Sequence, residues 1–344
     1  MAISNLATKY RPQTFSEVVE QSTVVEILQN MCKSEELANR NFLLIGAAGC
    51  GKTTLSRICA NVLNNGEGEI IEIDAASSGD AESLRNLVKQ AQTYPIGSKW
   101  KVIIMDECHC ISVKSGWQIL LKVLEEQPAR TVFFFCTTNP EKIPATILSR
   151  VQQFPLSKIS LDGIRSRLIH VIEEENKEGR GIKYEEDAVN FIAKLANGGM
   201  RDALTLLDKA LAYSNEITSE TLSSALNLPD YDDYFALLQA YAKKDNVQIA
   251  NIVNNVYNSG VNFVKWFESF HSFVMNVVKY IFLHDIGQTM IPAHYSEKVS
   301  KYGTAHASIC LSLANKLVKL NNELKSTQYL QELALTYLCS IPKK

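Results

Sequence analysis

Asn41-Phe42-Leu43-Leu44-Ile45-Gly46-Ala47-Ala48-Gly49-Cys50-Gly51-Lys52-Thr53 is the stretch on which the fold turns. Its first five residues read as a short buried strand that ends in glycines, and residues 53–63 carry helical spacing. Residues 46–53 match GxxxxGK[ST] directly after a strand and directly before a helix, the context that pattern needs. Glycines let successive backbone N–H groups curl around phosphate oxygens, and a helix N-terminus adds its positive dipole. Lys52 then brings a cation to the β and γ phosphates of a nucleotide, and Thr53 offers a hydroxyl to Mg²⁺. The plain alternative is a glycine-rich turn with a surface lysine.

Working outward, strands alternate with helices. Residues 69–73 (EIIEI), 101–105 (KVIIM) and 131–136 (TVFFFC) read as strands; residues 81–92 and 115–126 read as helices. Strands that are apolar throughout and separated by helices predict a parallel sheet covered on both faces. The strand 101–105 runs into Asp106 and Glu107, and ligands bind at that edge of an open α/β sheet. Two adjacent acids there are costly without a cation. Asp106 is expected to hold Mg²⁺ through water, and Glu107 to polarise an attacking water. Thr137-Thr138-Asn139 follows the last of these strands, where a polar side chain would reach the γ-phosphate or orient the water; Asn-Pro is also an ordinary turn starter. Arg150, just past this core, is placed to enter a neighbour's site in an oligomer, or is a surface arginine. Arg201 opens a later helix and would reach back over the nucleotide, or pairs with Asp202.

Beyond about residue 157 the strands are expected to stop. Residues 163–175, 185–195 and 201–212 read as helices, with a polar turn at 176–181, and Leu228-Pro229-Asp230 breaks the pattern. Ile249, Ile252, Val253, Val256 and Tyr257 then share one helical face that Gly260 ends, and Leu313, Leu317, Leu320 and Leu324 recur at helical steps. A helical bundle is the simplest reading of that last part.

Composition narrows the class. The 344 residues are 46% hydrophobic and 21% charged, enough for two or three domains of an ordinary folded protein. The net charge of −2 provides no global basic field for nucleic acid. The N-terminus has no signal pattern, and the most apolar run, Phe263–Leu283, is interrupted by Lys265, Glu268, His271, Asn276 and Lys279, so no membrane span and a cytoplasmic location are expected. The eight cysteines form no CxxC pair and read as reduced thiols. Cys108-His109-Cys110 is no zinc site on spacing: in an extended segment Cys108 and Cys110 would face one way and His109 the other.

Taken together and in order, Lys9-Tyr10-Arg11-Pro12 with Phe15, the glycine-rich turn, Asp74-Ala75-Ala76-Ser77, Asp106-Glu107-Cys108-His109, Leu124-Glu125-Glu126, the stretch 144–150 and Met200-Arg201-Asp202-Ala203-Leu204 resemble the gamma/tau subunits of bacterial DNA polymerase III, and more distantly the small subunits of replication factor C. The resemblance is dense over residues 1–212. It implies an α/β P-loop module of the AAA+ kind at 1–157, a small α-helical lid at 158–228 and an α-helical collar at 229–344 that joins five subunits in a ring. It implies a nucleotide set of Tyr10, Arg11, Gly46, Gly49, Cys50, Gly51, Lys52, Thr53 and Thr54, with Tyr10 and Arg11 at the adenine end. Thr53 and Asp106 would hold the metal; Lys52, Glu107, Asn139 (sensor 1), Arg150 (the trans arginine finger) and Arg201 (sensor 2) would serve hydrolysis.

The implied activity is ATP-driven opening and loading of a sliding clamp onto primer–template DNA, with ATP and Mg²⁺ as cofactors. Ser112, Lys114 and the Ser77-Ser78 loop are the expected DNA contacts; a solvated lysine is the alternative for Lys114. Two other functions compete: a branch-migration type of AAA+ motor, and a scaffold that binds ATP without hydrolysing it. The sequence also departs from the family. Only residues 60–68 separate Cys59 from the next strand, so the family's four-cysteine zinc module is expected to be missing and no zinc is expected. Val151, Gly199 and Glu20 replace a cysteine, a serine and a glycine. The chain is expected to end with the collar, without the long tau extension, as a compact form from a phage or other mobile replication system would.

Overall fold

Every residue of the strand Thr131–Thr137 is buried, and around it the first part of the molecule is built. The computed structural model describes residues 5–34, 41–68, 70–112, 115–226, 231–292 and 295–339, without the side chains of 302–305. The chain forms two units: residues 1–181 with 192–208, and residues 182–191 with 209–344.

In the first unit five strands, β1 (Asn41–Ile45), β2 (Ile70–Asp74), β3 (Lys101–Asp106), β4 (Thr131–Thr137) and β5 (Gln152–Pro155), form one parallel sheet in the order β2-β3-β4-β1-β5. The expected parallel sheet is therefore present. It has one strand more than the periodicity shows, because in β5 only Phe154 is buried. The helices of this unit are α1 (Leu6–Lys9), α2 (Ser22–Ser34), α3 (Lys52–Leu63), α4 (Ala75–Ser78), α5 (Ala81–Ala91), α6 (Gly116–Glu126), α7 (Ala145–Leu148) and α8 (Leu161–Lys177). One face of the sheet packs Phe42, Leu44, Val102, Ile104 and Phe134 against Leu28 of α2 and Leu55 and Ile58 of α3. The other packs Leu43, Ile103, Met105, Phe133 and Phe135 against Leu84 and Leu87 of α5 and Leu120 of α6. Alternate residues of each strand thus serve opposite faces, which is why the strands read as unbroken apolar runs.

The strand order sets the site. β4 lies between β1 and β3, so its C-terminal end at Thr137 sits between the turn after β1 and the acids after β3. Gly46 N donates to Thr137 O (3.1 Å) and roots that turn in the sheet.

A buried lysine ties the far end of β3 to α5. Lys101, 2% exposed, donates from Nζ to Gln90 O (2.7 Å), Thr93 O (3.1 Å) and Thr93 Oγ1 (2.7 Å) at the C-terminus of α5. Lys101→Met removes that donor from three oxygens, and the expected loss is about 2 kcal/mol or more of unfolding free energy in a urea titration. An unchanged midpoint would contradict this account of the residue.

Strands do not stop entirely after residue 157. Lys183–Tyr184 (β6) and Glu216–Ile217 (β7) form a two-residue parallel pair in the second unit, too short to show in a period. The helices α9 (Glu186–Leu195), α10 (Met200–Tyr213) and α11 (Ser219–Ala225) precede a helical bundle of α12 (Tyr231–Lys243), α13 (Asn246–Asn258), α14 (Phe263–Leu283), α15 (Ser296–Ala305), α16 (Ala307–Leu324) and α17 (Leu330–Leu338). Its core holds Ile249, Val253 and Val256 of the first face read from the sequence and all of Leu313, Leu317, Leu320 and Leu324, around Phe267 and Phe270; Ile252 is only partly buried against it, and Tyr257, expected on the same face, is exposed. The break at Leu228-Pro229-Asp230 lies outside the described residues. No helix among the described residues is long and apolar enough to cross a membrane.

The cysteines are free thiols. Cys108–Cys110 is a single 3-10 turn rather than an extended segment, because Glu107 takes a left-handed backbone just before it. Cys108 is buried and Cys110 exposed, so the two sulfurs do not share a side as alternation would have placed them. Among the described residues no group of three metal-ligating side chains gathers anywhere.

Candidate active site

The turn after β1 owes its shape to three glycines. A side chain at Gly46 would meet Cys50 Sγ and Leu156 O, each at 2.8 Å. Gly49 (φ +71°) and Gly51 (φ +107°) hold left-handed backbone, which side chains resist. Gly51 caps α3, whose first residues are Lys52 and Thr53. Lys52 is buried, and its Nζ donates to Gly46 O and Ala47 O, both at 2.9 Å. The lysine therefore lies along the inside of its own turn.

At the next strand end but one, Thr53 Oγ1 donates to Asp106 Oδ2 at 2.6 Å, and Glu107 N donates to Asp106 Oδ1 at 2.9 Å. The carboxylate is thus held on both oxygens between the turn and its own strand. Glu107 has φ +46° and ψ +38°, an outlying backbone for a residue with a side chain. Its carboxylate lies 3.3 Å from His109 Nδ1.

A cavity of about 300 Å³ opens over this junction, within the size range of small-molecule sites. Tyr10, Arg11, Gly49, Cys50, Gly51, Lys52, Thr53, Thr54, Asp106, Glu107 and Arg201 line it. Gly46, at the root of the turn, is not in the lining. Burial lowers the pKa of Arg11, with the neighbouring Arg57 and Arg201 charges adding and Glu72 and Asp106 opposing. Arg11 thus sits within electrostatic reach of Asp106. Burial also pushes Tyr10 up to about 12, reinforced by its hydrogen bond to Glu175 Oε1 (2.9 Å). Glu175 also accepts from Lys9 (2.7 Å) and Arg180 (2.8 Å); burial raises its pKa, but these bonds outweigh burial and the net shift is downward.

Residues that sequence reasoning missed complete the wall: Ala7, Val18, Val19, Ile159, Arg167 and Leu204. Arg167 of α8 donates to Tyr10 O (3.1 Å), so it fixes the backbone beside the cavity. No local pattern announces them, because they come from five separate places along the chain.

Besides Gly46, four residues singled out in the sequence lie outside this lining, and of these four only Asn139 was expected at this cavity. Asn139 is not in the lining; its Nδ2 donates to Glu141 Oε1 (3.0 Å), its Oδ1 accepts from Thr138 Oγ1 (2.8 Å), and its backbone N donates to Thr137 Oγ1 (3.0 Å). Arg150 is exposed and donates to Glu125 Oε1 (2.6 Å) and Thr146 O (2.8 Å). Ser112 is exposed away from the cavity, as is Ser77. Lys114 lies outside the described residues.

Two departures from the family pattern have physical reasons. Gly199 packs behind the turn, where a Cβ would meet Asp202 Oδ2 at 2.9 Å and Ala48 O at 3.1 Å, while Met200 N donates to Gly49 O (3.0 Å). Glu20 has φ +58°, the backbone a glycine adopts freely; its carboxylate accepts from Ser160 N (3.0 Å) and Ser160 Oγ, contacts no glycine could make.

The comparisons with known proteins bear on this geometry. Residues 163–216 match the model of the DNA polymerase III clamp loader subunit ATPase lid domain, and residues 66–160 that of the DNA polymerase III delta subunit. DNA polymerase III subunit gamma of Buchnera aphidicola subsp. Schizaphis graminum is 33% identical over 278 residues, 74% of this chain and 75% of the relative. The chain belongs to the DNA polymerase III gamma/tau subunit family. Subunit tau of Salmonella typhimurium is also 33% identical, over 283 residues, 76% of this chain and 43% of the relative. This gamma/tau family member therefore spans less than half the length of the first curated tau relatives it matches. Among solved structures, Thermotoga maritima RuvB, a Holliday junction branch migration motor, superposes with a TM-score of 0.52 at 19% identity over 67% of this chain and 78% of that one. That likeness shows the AAA+ parallel-sheet fold; the lid rests on the family match at 163–216 and the helical C-terminal region on the chain's own helices.

Proposed function

We propose that the chain is the ATP-hydrolysing motor subunit of a DNA sliding-clamp loader. The observation that carries the reading is the Thr53–Asp106 junction, where the glycine-rich turn and the acidic strand end meet at 2.6 Å beside the cavity that Lys52 and Glu107 line. A hydroxyl and a carboxylate side by side form a hard-oxygen donor pair, which suits Mg²⁺. Mg²⁺, when bound, neutralises charge on the β and γ phosphates.

The chain's own residues do the rest. The backbone N–H groups of residues 49–53 receive phosphate oxygens at the start of α3. Lys52 turns from its two carbonyls to the phosphates. Glu107 accepts a proton from the attacking water, and Arg201, in the first turn of α10, faces the same cavity. Asn139 reaches the γ-phosphate side by giving up Glu141, an exposed partner. Tyr10 and Arg11 close the mouth; Tyr10 belongs to the base end, and Arg11 also balances charge near Asp106.

Arg150 supports a role in a neighbour's site. Its partner Glu125 is about half exposed, and an exposed ion pair is worth about 1 kcal/mol or less, so the arginine leaves at little cost. In an assembled ring Arg150→Ala is expected to lower turnover about a hundredfold, the loss of one transition-state charge donor. A dilute monomer is expected to be unaffected; equal loss in both would remove the trans role. By the same reading residues 158–228 act as the lid and 229–344 as the collar of a five-membered ring. The partners are a sliding clamp, the other loader subunits and primer–template DNA, with Ser112, Lys114 and Ser77-Ser78, which form the end of α4 rather than a loop, as the DNA contacts, and the setting is the cytoplasm.

ATP turnover measured with and without primed DNA and a candidate clamp, beside the mass of the assembly, tests the whole. Stimulation by both together is expected. A folded sample that neither binds ATP at millimolar concentration nor responds to DNA would overturn the reading.

A further inference from the structure

Glu107 occupies a costly left-handed backbone, and its carboxylate is about one-third exposed. A side chain so placed needs a neighbour to hold one rotamer. The neighbour is His109, one residue beyond Cys108 on the 3-10 turn, with Nδ1 3.3 Å from Glu107 Oε2. The same nitrogen lies 3.3 Å from Thr137 Oγ1. Thr137 is wholly buried at the end of β4; its Oγ1 accepts from Asn139 N (3.0 Å), and its carbonyl accepts from Gly46 N (3.1 Å). A continuous path therefore runs from the root of the phosphate turn, through Thr137 and His109, to the carboxylate of Glu107.

We propose that His109 is a positioning residue for hydrolysis: its Nδ1–H, seated against the Thr137 hydroxyl, holds the Glu107 carboxylate in register with the γ-phosphate end of the cavity. The inference rests on the reading of Glu107 given above. The Nδ1–H is shared between the Thr137 hydroxyl, its hydrogen-bond partner, and the Glu107 carboxylate, whose charge makes it the stronger acceptor. The buried hydroxyl keeps the imidazole from swinging away. His109 is not among the residues that line the cavity, so its loss is expected to leave binding intact and to misplace the base.

The test uses the stereochemistry of the ring. The amide nitrogen of asparagine stands the same number of bonds from Cα as Nδ1 does; that of glutamine stands one bond further. In steady-state ATPase assays of the full chain with primed DNA, His109→Asn is expected to keep near wild-type kcat. His109→Ala and His109→Gln are expected to lose about tenfold to a hundredfold in kcat, with unchanged ATP affinity and Tm. Thr137→Ser should be silent and Thr137→Val should resemble His109→Gln. A readout independent of turnover is the imidazole ¹⁵N spectrum, in which the His109 resonance, assigned by its loss in His109→Asn, is expected to carry the proton on Nδ1 and to move on Glu107→Gln.

Wild-type kcat in His109→Ala, glutamine rescuing as well as asparagine, a loss of ATP affinity matching the loss of kcat, or a His109 resonance indifferent to Glu107→Gln would each overturn the proposal. Glu107→Gln in the same assay separates the two readings. If it stays active, the assignment of Glu107 fails. If it is inactive while His109→Ala is normal, the positioning role alone fails.

Discussion

Lys52→Ala is expected to weaken ATP binding about a thousandfold, roughly 4 kcal/mol, so that millimolar ATP no longer fills the site. The size follows from where the side chain is. Lys52 is 6% exposed and lies along the inner wall of the turn, so its charge acts with little competition from water. The phosphates of ATP are strong acceptors for an ammonium group, and the fixed N–H groups of the turn cannot replace its whole charge. The substitution also takes a donor from Gly46 O and Ala47 O, at a folding cost of about 1–3 kcal/mol, so Tm must be read beside affinity. Titration with a fluorescent ATP analogue against a sample of confirmed fold provides the measurement. Retained micromolar affinity would mean that phosphate binds elsewhere, and the reading of residues 46–53 would fall.

How much of this was legible in the sequence depends on the locality of the signal. β1, β3 and β4 were legible because both their faces are buried, which leaves unbroken apolar runs. β5 was not: it is an edge strand whose pairing with β1 supplies backbone bonds, and bonds of that kind leave no trace in side-chain type. The glycine-rich turn and Asp106-Glu107, which the structure brings together, were legible because each is a run of adjacent residues. Val18, Ile159 and Arg167 were invisible because the fold, not the neighbourhood, brings them to the cavity. His109 carried a misleading signal, since two flanking cysteines suggest a metal until the 3-10 turn buries one and exposes the other. The parking of Arg150 on Glu125 joins residues 25 apart through the faces of α6 and α7, which no period predicts.

Glu107→Gln is expected to bind ATP as the wild type does and to turn over about a thousandfold more slowly, the loss of one general base. Affinity survives because Glu107 is not a partner of the turn. The Thr53–Asp106 bond, the Lys52 contacts and the N–H groups of α3 all stand without its carboxylate. The bond from Glu107 N to Asp106 Oδ1 is a backbone bond and is kept by glutamine. The left-handed backbone is equally strained for both residues, so Tm should hardly move. What changes is basicity alone: an amide of the same shape accepts a hydrogen bond from water but takes no proton at neutral pH. The distinguishing measurement pairs nucleotide affinity with single-turnover phosphate release. Unaltered affinity with stalled release is the expected result. Normal release would show that another group accepts the proton, and weakened affinity would show that Glu107 holds the nucleotide rather than the water.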